Sequence, residues 1–474
     1  MNHVRSIALC VCVVALSLFW GGATPLGVLL TRLGALLLVL LWALDRRSDS
    51  GLELFAKPLA ALLLLAGLGL FQSAPLPRNL VEFLSPEHVT LADEAALALG
   101  REVPTTVALS LNPRASRQTA LDLLVYALLA IAAFRAGRHG SRLAWLAGAV
   151  TLTAGLQIIA GLRPWLSGGV PRLRGTYANP DHLCIVLEIA VCVAFGAAFW
   201  ALSTRRFRVR PALRAAVTTV AGASGLLLLS AISFTGSRAG ILAVLVGLAA
   251  QALALSRKSK SRWVPVATTA AAALAAAGFL AWIGISRSFG RMLGTSWFEV
   301  AQGERMVVWL QSLKLLGRFP FMGSGLGTFE SAFPLAQGAS LEGTRWAKAH
   351  NGYLELMATG GVVGGAIATA GAVWLLLLLT RKLRAAVRTD HRAALGVALG
   401  SIASVATHEF FDFGLSLPAN AFLLVSIVAV AAGVRNGVSE NLDRCESGPS
   451  AGDRSYFEEL KAAARGAGHG QRSA

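Results

Sequence analysis

The sequence predicts an all-α polytopic membrane protein of about twelve transmembrane helices. Three observations predict it. Of 474 residues, 55% are hydrophobic and 14% charged, and the mean hydropathy is +0.61, well above that of soluble domains. The apolar residues fall into twelve blocks, each close to the roughly 20 residues that a bilayer span requires. Arginine and lysine gather in alternate connections between those blocks.

The blocks lie near residues 6–22, 25–44, 53–72, 118–135, 143–162, 182–202, 215–234, 239–256, 263–285, 353–380, 393–411 and 417–434. The first could pass for a signal peptide, but a second span follows at once and no small-x-small cleavage site separates them, so it reads as an uncleaved span. With a cytoplasmic N-terminus, the inside connections carry Arg46–Arg47; Arg135, Arg138 and Arg142; Arg205 to Arg214; Arg257 to Arg262; and Arg381 to Arg392. Five basic loops on one side form a positive-inside pattern. The net charge of +18 is explained by that asymmetry, and no nucleic-acid partner is implied. Cys10, Cys12, Cys184, Cys192 and Cys445 show neither a disulfide framework nor metal-ligand spacing and read as packing residues.

Three regions follow from this patterning. Residues 1–162 form N-terminal membrane helices with an external segment, 72–117; residues 163–435 form a second membrane region with a large external loop, 286–352. Residues 436–474 are polar and glycine-rich and read as a disordered cytoplasmic tail.

Taken in order, the external segment begins with a proline-rich turn at Pro75 and Pro77, and Leu80 to Leu84 suggest a short helix at the membrane surface. Arg32, inside the second span, reads as a snorkelling or pore-facing arginine. Arg172-Leu173-Arg174-Gly175-Thr176-Tyr177-Ala178-Asn179-Pro180-Asp181-His182 makes a short rigid loop leading into the sixth span. Its arginines can hold a fixed anion, since a guanidinium fork matches phosphate geometry; interfacial anchoring is the alternative. Phe234-Thr235-Gly236-Ser237-Arg238-Ala239-Gly240 is a tight turn that keeps Arg238 at the membrane surface, beside an anionic ligand, lipid headgroups or a distant carboxylate.

The 286–352 loop is the long interruption in the second half of the chain, where chemistry could be housed outside a bilayer. Met306, Val307, Leu310, Leu313 and Leu316 fall at helical spacing, so 304–316 reads as an amphipathic helix lying on the outer surface. After Pro320, Gly323, Gly325 and Gly327 read as a structural turn, with a phosphate cradle as the alternative. His350 and Asn351 close the loop at the mouth of the tenth span, and of the eight histidines only His88, His182, His350 and His408 fall outside. His408 and Asp412, at i and i+4, are too few for a metal and read as a polar network orienting the last external loop.

Several of these stretches together resemble one family. Arg174-Gly175-Thr176-Tyr177-Ala178-Asn179-Pro180, Thr235-Gly236-Ser237-Arg238, Arg305 with Trp309, Pro320 to Phe329, and His350-Asn351-Gly352-Tyr353-Leu354 with Gly360-Gly361 are similar, in order and side, to the O-antigen ligase superfamily. That superfamily includes O-antigen ligases, O-antigen polymerases and protein O-oligosaccharyltransferases. The resemblance covers about residues 165–430.

It implies a GT-C-like, metal-independent, inverting glycosyltransferase of the bacterial inner membrane, with its site facing the periplasm and no cofactor. The donor would be an undecaprenyl-diphosphate-linked glycan, and the acceptor lipid A core or a second lipid-linked glycan. His350 would be the catalytic base, with Arg174 and Arg238, and a less direct Arg305, on the diphosphate. Asn179, Ser237, Asn351, His408 and Asp412 would be supporting residues. Asp181 stands where the family often has a second asparagine. The chemistry agrees: a sugar hydroxyl barely ionises at neutral pH, so attack on an anomeric carbon gains about 100- to 10,000-fold from a general base. Ligation to lipid A core is the first expectation and polymerisation the second. A flippase or other transporter is a more distant reading, since transporters place their sites near the midplane between repeats.

Overall fold

The computed structural model describes residues 2–43, 52–138, 141–204, 210–256, 303–341 and 343–434. The ninth apolar block, the tail after 434 and the basic residues at 46–47, 205–208 and 257–262 lie outside the described residues. The other eleven blocks each coincide with a helix. These are α1 (Asn2–Leu18), α2 (Pro25–Ala43), α3 (Leu52–Ser73), then, after two short helices α4 (Arg78–Leu84) and α5 (Pro86–Ala98), α6 (Pro113–Gly137) and α7 (Ser141–Leu166). The second half contains α8 (Pro180–Ser203), α9 (Pro211–Thr235), α10 (Arg238–Ser256), the extramembrane α11 (Glu304–Arg318) and α12 (Phe329–Ala332), and finally α13 (Gly352–Ala385), α14 (Thr389–His408) and α15 (Pro418–Gly433). Among the described residues, seven helices are long and apolar enough to cross a membrane, and three shorter apolar helices accompany them. The chain is an all-α polytopic membrane protein.

Local signals set the helix starts. Proline opens α6, α8, α9 and α15, where its missing N–H has no helical partner to lose. Asn112 and Asn179 cap the first two of these, accepting from Ala115 N at 3.2 Å and Asp181 N at 2.9 Å.

Helix α8 is the buried axis of the membrane region. Leu183, Cys184, Ile185, Val186, Leu187 and Ile189 are all inaccessible. A polar side chain there requires a partner, because neither lipid nor a packed core solvates it. Glu188 accordingly accepts from Ser404 Oγ at 2.8 Å and pairs with His408 Nδ1 at 2.6 Å, joining α8 to α14. Small residues bring other helices close: a Cβ at Gly137 or Gly433 would collide with backbone of the facing helix, as one at Gly247 would with Ser404 and the Gly400 carbonyl. Arg32 has a partner within the protein: it forms an ion pair with Asp122 of α6 at 2.8 Å.

Above the helices lies an extramembrane layer. Leu76–Pro77 pairs antiparallel with Thr106–Val107, and with α4 and α5 encloses a small core of Val81, Val89, Val107 and Leu109. This layer is tied to the segment after α11. Arg318 pairs with Glu87, Leu111 N donates to Ser324 O at 2.9 Å, and Leu326 N donates to Gln72 Oε1 at 2.9 Å.

The same segment breaks α13. At Gly361 the backbone turns to φ 64°, ψ −169°, and the amides of Val362 and Val363 leave the helical ladder for the carbonyls of Pro320 and Phe321, at 2.9 and 3.2 Å. In return Ser324 N and Gly325 N donate to Ala358 O and Thr359 O, at 3.1 and 2.9 Å. The glycine run is therefore a docking turn: Gly323 and Gly325 have positive φ, and the amides from 323 to 326 all bond within the protein.

Helix α11 packs on the protein by a face other than its apolar stripe. The face packed against the protein is Val308, Gln311, Ser312 and Leu315, while Leu310 and Leu313 are exposed. Phe329, Phe333 and Ala349 cover Val308, and Gln311 accepts from Gly338 N at 3.0 Å. The outward leucines leave the helix with a second apolar face.

Candidate active site

Six helix ends meet beneath the extramembrane layer: the starts of α8, α10, α13 and α15 and the ends of α9 and α14. Connections between them place the polar residues. Leu173 N donates to Phe234 O at 3.0 Å, and Arg172 bonds Thr235 O and Asp181 Oδ1, the latter at 2.7 Å. The loop before α8 is thereby fastened to the turn between α9 and α10. Gly352 N donates to Glu409 O at 2.8 Å and Asp412 O at 3.1 Å, joining the start of α13 to the loop after α14.

His350 sits at the centre of these contacts. Its φ of 51° makes it the single non-glycine residue with positive φ among the described residues, a strained conformation held by its surroundings. Trp309 Nε1 donates to its carbonyl at 3.3 Å. Glu355 accepts from Lys348 Nζ at 2.7 Å and Ala349 N at 3.2 Å, fixing the approach. Asn351 caps α13 by accepting from Leu354 N at 3.0 Å. The ring stands edge-on to Phe413, with centroids 4.9 Å apart, and to Trp346 at 5.9 Å.

Nδ1 of His350 lies 3.3 Å from Oδ1 of Asp412, whose Oδ2 is 3.6 Å from Nε2 of His182. Neither contact is aligned as a hydrogen bond. Asp412 is almost wholly buried. Burial works to raise its carboxyl, but the imidazoles of His182 and His350 and the charge of His408 outweigh it and hold the group well below the usual carboxylate range. Asp412 is thus an anion behind His350, on the Nδ1 side of the ring. A carboxylate so placed can stabilise the cation formed when an imidazole accepts a proton at Nε2.

The remaining candidates divide into placed and distributed groups. Arg305 donates to Phe411 O at 3.1 Å, next to Asp412 in the chain. Arg174 and Arg238 are both exposed, at the two loops that Arg172 fastens together. Ser237 caps α10 by accepting from Gly240 N at 3.0 Å, and Asn179 caps α8. Helix α14 stops at His408, so the expected shared face of His408 and Asp412 does not form: Nδ1 of His408 turns inward to Glu188, while Asp412 turns to His350 and His182. Glu409 is buried in the same loop and accepts from Leu415 N at 2.8 Å; burial pushes its carboxyl up to about 7.

Three participants escaped the reading of the sequence as site residues. Arg172 rather than Arg174 makes the structural contacts of its loop, His182 is the second histidine on Asp412, and Glu188 anchors His408. Glu188 was visible as a carboxylate within an apolar block, a placement that by itself marks a paired or functional group.

No curated protein matches the chain. Residues 223–369, however, match the family model described as O-antigen ligase. The matched stretch contains Arg238, Arg305 and His350, and Arg174, His182 and Asp412 lie outside it. Residues 223–369 thus form a domain of the O-antigen ligase type.

Proposed function

We propose that the protein transfers a glycan from an undecaprenyl-diphosphate carrier to a sugar hydroxyl at the periplasmic face of the inner membrane. The observation that carries this reading is the buried Asp412 carboxylate 3.3 Å behind His350 in a strained, clamped loop, within a membrane protein whose residues 223–369 match the O-antigen ligase family. In the transfer, His350 Nε2 takes the proton of the acceptor hydroxyl. The acceptor oxygen forms a bond to the anomeric carbon from the face opposite the leaving group. The bond between that carbon and the diphosphate oxygen breaks, the configuration inverts, and undecaprenyl diphosphate leaves with the electron pair. Asp412 keeps Nδ1–H directed away from the acceptor and stabilises the imidazolium.

Arg174 and Arg238, with Arg305 beside the Asp412 loop, are assigned to the diphosphate. Preorganised guanidinium groups stabilise charge that develops on a leaving group, and the work is greatest where water is excluded. This reading needs no metal and no cofactor. The region 163–435 forms the transfer unit, and 1–162 supports it.

Transfer to lipid A core is the preferred acceptor reading, and transfer to a second lipid-linked repeat is the alternative. Surface glycans of a deletion strain separate them. Unmodified core alongside intact polymer is the result expected for ligation, and single capped repeats the result for polymerisation. An unchanged glycan profile would contradict both.

A further inference from the structure

Asn420 lies in the first turn of α15, fully buried, and no motif singles it out. Its side chain serves three chain segments at once. Oδ1 accepts from the Tyr177 hydroxyl at 2.9 Å, and Nδ2 donates to the carbonyls of His182 and Gly414, each at 3.1 Å. Tyr177 is itself buried, and its amide donates to Arg174 O at 3.0 Å, so the first bond fixes the loop that carries Arg174. The second fixes the residue whose imidazole faces Asp412. The third fixes the residue after Phe413, whose ring touches both His182 and His350, with centroids 4.7 and 4.9 Å away.

An apolar side chain of similar volume would fill this space and would fix none of the three segments. A buried amide whose donors and acceptor are all engaged sets distances between the groups it joins, because each unmade bond leaves a buried polar atom without solvent. We propose that Asn420 is a positioning residue of the transfer reaction, holding the arginine loop in register with the His350–Asp412 pair. The role rests on the function proposed above.

Its separate bonds give separable kinetic signatures in the reconstituted full chain. Tyr177→Phe removes the bond from the arginine loop to Asn420, together with the hydroxyl's interaction with Ser17, and leaves the bonds of Asn420 to His182 and Gly414; the expected result is a donor KM raised roughly fivefold with kcat within about twofold of the parent. Asn420→Asp keeps the acceptor for Tyr177 but sets a second oxygen against two carbonyls. The expected result is kcat reduced at least about tenfold, with donor KM within about twofold. Equal kinetic effects from the two variants, or no effect from either, would overturn the proposal.

A second measurement does not depend on activity or on the aspartate variant folding. With Asn420→Leu in nanodiscs, diethyl pyrocarbonate modification of His182 should speed up roughly tenfold, as its carbonyl tether is lost and the ring is uncovered. His88, buried in the extramembrane layer, should keep its rate and serves as the internal control. An unchanged His182 rate would overturn the role of Asn420. A parent chain that transfers no glycan would overturn the function proposed above, and the His182 comparison would still decide Asn420.

Discussion

Replacing Asp412 by asparagine keeps its shape between His182 and His350 and removes its charge. The neutral His350 ring loses little. The cost falls on the protonated ring, whose Nδ1 lies 3.3 Å from the carboxylate. Two unit charges about 4 Å apart interact by about 4 kcal/mol at an effective dielectric of about 20. The His350 side chain is 22% exposed, and taking solvent to remove about half of that interaction leaves about 2 kcal/mol. At about 1.4 kcal/mol per factor of ten, this is roughly a 30-fold loss of kcat. Donor KM should change little, because the charge matters only once the proton has moved. The assay is initial-rate transfer from a purified lipid-linked donor to a labelled acceptor in nanodiscs, with variant and parent matched for inserted protein. A kcat within about twofold of the parent would refute the coupling of Asp412 to His350.

Two further outcomes follow from the same geometry. Arg238→Lys keeps the charge and loses the planar fork, so turnover should fall about tenfold or more; an unchanged rate would count against a diphosphate contact there. Glu409 has a carboxyl raised to about 7 from an ordinary 4.5, so the folded loop favours its protonated form. Its contribution to stability is complete below about pH 4.5, declines as pH rises, and is gone above about 7. Melting temperature in detergent should therefore fall between those limits, and Glu409→Gln should flatten that fall. A slope unaffected by the substitution would assign the titration to another group.

The membrane helices and the extramembrane location of His350 were legible because both depend on local pattern: block length, alternating basic loops, and a histidine at the end of a long loop. The break in α13 was not, because it requires Pro320 and Phe321 to supply carbonyls to Val362 and Val363, more than 40 residues away. Gly361 was visible only as one glycine of a pair. The same applies to the site. Asp412 was readable as a polar residue in an external loop, but its partners His182 and His350 come from two other segments, and no spacing within one stretch encodes such a meeting. For Glu188 and Asn420 the usable signal was polarity inside an apolar block, a cost that in a membrane must be met by a partner. That signal reveals that a partner exists and leaves its identity to the fold. For α11, periodicity found the helix and its outward leucines, but not the face of Val308, Gln311, Ser312 and Leu315 that packs on the protein, because two of those four residues are polar.

The base assignment of His350 is tested most directly by reconstituting the chain and its His350→Ala variant with an undecaprenyl-diphosphate-linked glycan and a sugar acceptor. Glycosylated acceptor and released undecaprenyl diphosphate would be measured together. The parent should form the two in equal amounts, and the variant, inserted to the same level and with the same melting temperature, should form neither above background. Transfer by His350→Ala at the parent rate would contradict the account.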